Sequence, residues 1–301
     1  MERKIMAEKG SRAIALGLFD GVHLGHREVI GFPIRLAGSG FIPSVFTFGS
    51  STVEEKQGRK IEYIYTDKQK EALIMALGIS EVFTENFGSV KDMSGEEFVR
   101  EILVNRLDTR YVACGRDFRF GKRASCGINE LCELGRKYGF EVEIADDIKS
   151  EGEKVSSKKI RELLKNGEIQ SANKLLGSAY RISGEVIHGM ELGRTMDFPT
   201  INQTFADGQL VPRKGVYYTK TAIGGNIYPS ITNVGVKPTV GNNLSPLAET
   251  HILDFSGDLY GQAVDVEVCR FIRNEKKFAS LEELRSAVQT DIDNCRKYAL
   301  Q

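Results

Sequence analysis

Over residues 1–178 short apolar runs alternate with helix-period stripes, and from about residue 180 the helical pattern nearly vanishes. That change of period constrains the fold more than any single motif. In the first part "AIALGLF", "IPSVFTF", "RYVAC" and "FEVEIA" are apolar enough to be buried strands. Between them, "SGEEFVREILVNRL" sets Ser94 and Glu97 in capping-box spacing ahead of Phe98, Val99, Ile102 and Leu103 at helical spacing. The stretch "DKQKEALIMALG" closes at Gly78, which suits a helix C-cap. Strand–helix–strand alternation predicts an α/β unit whose parallel sheet is covered on both faces.

In the second part "YRISGEVI", "GVYYTKTAI", "SITNVGV", "ETHILDF" and "AVDVEVCRFI" are strand-length and rich in β-branched and aromatic residues. Gly, Pro, Asn and Asp separate them, as in an antiparallel barrel or sandwich. One helix closes the chain: Ser280 and Glu283 form a capping box, and Leu281, Leu284, Val288, Ile292 and Cys295 trace one face. The break falls near "LLGSAY", so the expected domains are 1–178 and 179–301. The stretch 49–60, "GSSTVEEKQGRK", reads as a mobile loop.

A chain of 301 residues is long enough for two cores. Its 41 basic residues cancel its 41 acidic ones, which gives no electrostatic case for a nucleic-acid or membrane-surface partner. A local cationic pocket for a phosphorylated small molecule stays open. Five cysteines, an odd count without a Cys-x-x-Cys pair, argue against a disulfide framework and a structural zinc site. The opening "MERKIMAEKGSR" is too polar for a signal peptide, and no window reaches the ~18 apolar residues of a membrane span. The expected compartment is the cytoplasm, and oligomeric state is not legible.

Two stretches carry chemistry. In "ALGLFDGVHLGH" a buried strand enters the turn Gly17, Phe19, Asp20, Gly21 and then a helix, which gathers backbone N–H groups and a positive dipole end at one point. His23 and His26 share a face at i, i+3, and Gly25 lets a nucleotide approach the backbone. With an ordinary pKa of about 6.5, such imidazoles can act as cationic donors to phosphate. The plainer reading makes them solvent-exposed residues of a helix start.

The second stretch, "GEVIHGMELGRTMDFPTIN", spaces Gly184, Gly189 and Gly193 ahead of Arg194, without the spacing or the lysine of a Walker A loop. Its N–H groups could still fold around phosphates. Thr200 and Asn202 at i, i+2 on a strand offer two neutral oxygens on one side, suited to Mg²⁺ or ATP phosphate. An ordinary polar strand face explains them equally from spacing alone. His188 and His251, without a second ligand at metal spacing, read as structural.

The pattern "GLFDGVHLGH", with "CGRDFRFGKRA" at 114–124 and "VSSKKIRELL" at 155–164, resembles the adenylyltransferase half of bifunctional riboflavin kinase/FMN adenylyltransferase, the bacterial FAD synthetase. "GRTMDFPTIN", "GVYY", "TNVGVKPTVG", "ETHILDFSGDLYG" and "IRNEKKFASLEEL" resemble its kinase half, in the same order. The resemblance implies a Rossmann-like nucleotidyltransferase domain followed by a small Greek-key β-barrel with a C-terminal helix. It implies that His23, His26 and Arg161 handle ATP phosphates, and that Ser156, Ser157 and Asp117 line the nucleotide site with Phe118 against flavin. In the barrel it implies that Thr200 and Asn202 hold Mg²⁺-ATP, that Glu249 is the general base and that Arg273 contacts flavin or pairs with Glu275 or another acid. Riboflavin, FMN and ATP are the implied substrates. The family's Pro-His-Pro after Thr47-Phe48 is replaced by Gly49-Ser50-Ser51. Three readings therefore stand at this level: both reactions, a riboflavin kinase alone, or a flavin carrier without turnover.

Overall fold

The computed structural model describes residues 10–49, 62–188, 198–238 and 244–300, and the chain divides into two compact units, Met1–Ser157 and Lys158–Gln301. The stretch 50–61, which takes in Ser50, Ser51 and all but the first residue of the expected loop 49–60, and the glycine-rich 189–197 lie outside the described residues.

In the first unit β1 (Arg12–Leu16), β2 (Ile42–Phe48), β3 (Glu81–Glu85), β4 (Thr109–Gly115) and β5 (Glu141–Ala145) form one parallel sheet in the order β3-β2-β1-β4-β5. Period-2 alternation divides β1 between two cores. Ile14 and Leu16 join Val112, Val99, Leu103 and Leu131 on one face. Ala15 and Ala113 join Val29, Ile30 and Ile74 on the other. The small alanines let α1 (Leu24–Leu36) lie close on the sheet, with α2 (Asp67–Ala76) beside it. The capping box at Ser94 forms as expected: its Oγ accepts from the Glu97 N–H at 3.2 Å, and the Glu97 carboxylate accepts from the Ser94 N–H at 2.8 Å. Phe98, Val99, Ile102 and Leu103 are all buried, although Phe98–Arg106 is wound as a π-helix. Strand β3 has no counterpart among the expected strands. "EVFTE" is an edge strand with a charge at each end and no fully buried residue, so it lacks the apolar run that marks the others.

The chain lays down β1, β2 and β3 in one direction, then returns past β1 to lay down β4 and β5. The reversal opens a crevice at the carboxyl ends of β1 and β4, where doubly wound sheets bind ligands. Residues 17–23 and 115–118 follow those two ends.

In the second unit β6 (Tyr180–Glu185), β7 (Thr200–Thr204), β8 (Gly215–Ile223), β9 (Asn226–Pro238), β10 (Leu244–Ile252) and β11 (Ala263–Arg273) form one antiparallel sheet in the order β6-β11-β8-β9-β10-β7. The run β11-β8-β9-β10 is a Greek key. The sheet curls until its edges meet. The Ile187 N–H bonds the Asn202 carbonyl at 2.9 Å, and Gln203 Nε2 donates to Gly184 at 2.9 Å and Val264 at 2.8 Å. Hydroxyls run across the interior, Thr219 to Thr232 at 2.9 Å and Thr232 to Thr250 at 2.8 Å.

Two helices of this unit, Ser157–Asn166 and Ile169–Leu176, pack on the barrel, with Asn173 Nδ2 on the Val268 carbonyl at 2.9 Å and the Arg213 N–H on that of Leu164 at 3.0 Å. The rhythm of the sequence changes near 178, whereas packing divides at 157/158, because these helices bury Ile160, Leu164, Ala172 and Leu176. The closing helix, Leu281–Ala299, covers the outer sheet face, with Val288, Ile292 and Cys295 against Val216, Tyr218 and Ile231. Leu281, expected on that stripe, is 70% exposed. The buried stripe begins after the first turn, where the capping residue Ser280 has just turned the chain into the helix.

Candidate functional site

The first site grows from the turn after β1. Phe19 and Val22 hold positive φ, 51° and 43°, with Gly21 at 85° between them. Non-glycine residues keep that conformation only where the surroundings over-determine it. Here Thr47 Oγ1 donates to the Leu18 carbonyl at 3.1 Å, Ser157 Oγ to the Asp20 carbonyl at 2.8 Å, and Asp20 Oδ1 accepts the Ile64 N–H at 2.8 Å. A Cβ at Gly17 would stand 2.7 Å from the Phe19 ring, so the glycine is required by that fold-back.

His23 caps α1, its Nδ1 accepting the His26 N–H at 3.3 Å. The two rings stack with centroids 3.5 Å apart, and the Phe19 ring meets His26 edge-on at 5.4 Å. A Cβ at Gly25 would lie 3.3 Å from the His23 ring, so this glycine also makes room for the stack. His23 is 5% exposed, which removes the solvent-exposed reading. Burial pushes its pKa down to about 4, against a smaller upward pull from backbone and Asp117. Burial, then the neighbouring His23 and Lys70, hold His26 well below the usual histidine range. The expected cationic pair is therefore neutral at pH 7 in the free protein. Because His23 Nδ1 accepts, its ring proton sits on Nε2, leaving one donor for a ligand. His26 Nδ1 is buried without a hydrogen-bond partner.

Asp117 and Phe118 follow β4 on the other side of the reversal. Asp117 pairs with Lys154 at 3.3 Å, and Phe118 stacks on Phe120 at 5.7 Å. Ser156 precedes the helix that starts at Ser157, and Arg161 lies one turn in, on the same helix face as Ser157. The Ser157 hydroxyl is committed to the Asp20 carbonyl, a tie that sequence reading assigned to capping or phosphate.

The second site is a row across β7, β10 and β9, in which Asn202 stands opposite Glu249 and Glu249 opposite Asn233. Directly opposed residues share a sheet face, and Thr200, two residues along from Asn202, shares it too. Asn202 is 4% exposed and its Oδ1 has no hydrogen-bond partner. Thr200 and Glu249 are half-buried. His251, opposite Thr200, meets the Pro199 carbonyl through Nδ1 at 2.8 Å and so anchors the strand entry. His188 stacks on Tyr260 at 3.7 Å. Gly189, Gly193 and Arg194 lie outside the described residues.

Arg273 points its guanidinium at the buried Asp291 of the closing helix, at 3.1 and 2.7 Å, and not at Glu275. The Glu275 carboxylate instead lies over Gly235, where any Cβ would collide with it. Asn233 and Glu275 were not singled out from sequence. The signal was present only as pairing register, since Asn233 sits in "TNVGV" with nothing local to mark it. Among the described residues no group of three or more His, Cys, Asp or Glu is set to hold a metal, so a cation here would rest on neutral oxygens and Glu249.

A doubly wound sheet with a histidine-lined cradle at its reversal, followed by a Greek-key barrel with an oxygen-lined row, defines a two-domain nucleotide-using transferase. The chain belongs to the bifunctional riboflavin kinase/FMN adenylyltransferase family. Residues 5–159 match the FAD synthetase family model, and residues 176–299 match that of riboflavin kinase. The bifunctional riboflavin kinase/FMN adenylyltransferase of Haemophilus influenzae is 35% identical, over 95% of this chain and 94% of its own. Those of Bacillus subtilis and Escherichia coli are 33% and 32% identical, covering 98% and 95% of this chain and 94% and 92% of theirs. A crystal structure described as a macrolide-efflux protein from Streptococcus pneumoniae superposes with a TM-score of 0.82 at 26% identity, over 97% of this chain and 96% of that one. Among the described residues no helix is long and apolar enough to cross a membrane.

Proposed function

We propose that the Thr200–Asn202–Glu249 row carries riboflavin phosphorylation and that the cradle around His23 and His26 carries FMN adenylylation. The protein is an ATP-dependent transferase that makes FMN from riboflavin and FAD from FMN. Matches of both units to their own families support two reactions over a kinase alone.

The observation that carries the kinase assignment is the register that sets Glu249 beside the buried, unpartnered Oδ1 of Asn202. An amide oxygen removed from water without a partner is costly, and a hard cation would satisfy it. Thr200 and Asn202 fit Mg²⁺ on that ground. Bound there, it would screen the phosphate charge of ATP. Glu249 accepts the proton of the riboflavin 5′-hydroxyl as its oxygen attacks the γ-phosphorus and ADP leaves.

In the first unit the FMN phosphate attacks the α-phosphorus of ATP and pyrophosphate leaves. This needs no covalent intermediate, only positioning and charge stabilisation. The N-terminus of α1 and the His23 Nε2–H are the groups offered to the developing charge, and the tied-down turn fixes their positions.

The test is one reaction from riboflavin with Mg²⁺-ATP and pyrophosphatase. The wild-type chain accumulates FAD by way of FMN. Glu249→Gln keeps the riboflavin KM within about threefold and lowers kcat for FMN formation by about 10² or more. Equal kcat in that variant would remove Glu249 from the role of base.

A further inference from the structure

Lys70 is an unusual lysine, because it is only 5% exposed and such side chains are almost never fully buried unless paired. It lies within α2, outside every motif that carries the family resemblance. Its Nζ donates to the Phe48 carbonyl at the end of β2, at 2.6 Å, and pairs with Asp67 Oδ1 at 3.3 Å. An ammonium has three donors, so one N–H remains. Lys70 borders a cleft lined by Leu18, Phe48, Gly49, Tyr63 and Tyr65 together with the acids Asp20 and Asp67, at the carboxyl ends of β1 and β2.

That position matters because of what the histidines are not. The acceptor is a phosphate anion that must approach an anionic triphosphate, and burial leaves His23 and His26 neutral. A fixed cation on the acceptor side would lower that repulsion, and in a poorly solvated site it acts more strongly than at the surface. Asp20 of the cradle turn lines the same cleft as Lys70, so the ammonium stands beside the cradle. The cleft is walled by the turn after β1, the end of β2 and Lys70 of α2, next to the cradle at the N-terminus of α1. From this geometry we infer that the remaining N–H of Lys70 binds a phosphate oxygen of FMN and positions it for attack. The inference rests on adenylylation taking place in the first unit.

Initial rates of FMN adenylylation by the full chain test it, with riboflavin phosphorylation by the same preparation as the control for folding. Lys70→Met should raise the FMN KM at least tenfold, with the ATP KM within threefold and the kinase rate unchanged. Lys70→Arg, which keeps the charge, should recover kcat/KM for FMN to within tenfold of wild type. Should the methionine variant lose kinase turnover through unfolding, Lys70→Gln carries the same expectation. An unchanged FMN KM, a rise confined to ATP, or an arginine variant no better than the neutral one would overturn the inference. No FAD from the wild-type chain would instead reject the adenylylation reading beneath it.

Discussion

The charge state of the histidine pair is set by burial, with a consequence for stability. His23 has a folded pKa of about 4 against an ordinary value near 6.5. Between those values the unfolded chain binds a proton that the folded chain does not, so stability falls as pH drops through that window. From pH 7 to pH 5 the loss through His23 is about 2 kcal/mol. Urea midpoints of the first unit should therefore move down over that range, and His23→Asn should flatten the slope; an equal slope in the variant would assign it to other groups. The spacing of His23 and His26 was legible because a His-x-Gly-His run is local. Lys70 was not, since nothing near it in sequence shows that the sheet end closes over it.

For whole elements, alternation and register divide the work. Period 2 places Thr200 and Asn202 on one strand face from sequence alone. Which strand lies opposite, and that Glu249 meets Asn202 there, is decided by pairing between β7 and β10. The other face of β7 carries Gln203, fully buried, whose amide bonds both Gly184 and Val264 and closes the seam of the barrel. Gln203→Ala leaves two carbonyls short of a donor and should destabilise the second unit by about 2–4 kcal/mol, read as a shift of its denaturant midpoint. A change under about 0.5 kcal/mol would mean that backbone pairing alone holds the seam. The closing helix repeats the lesson: its capping box and stripe were readable, yet its buried Asp291 turned out to be the partner of Arg273.

Across the whole molecule, two unlike folds each use ATP, and each activity should be removable by itself. His26→Ala is expected to lower FAD formation at least 10²-fold while FMN formation from riboflavin continues at the wild-type rate. Loss of both in a folded chain would contradict the assignment of one reaction to each unit. From the sequence alone came the two secondary-structure periods, the turn chemistry and the order of the motifs, because each is written in residues close along the chain. Tertiary structure alone decided that the histidines are neutral, that Lys70 is buried, that Glu249 faces Asn202 and that the units part at 157/158. Burial and register depend on groups far apart in sequence, and no local pattern encodes which of them will meet.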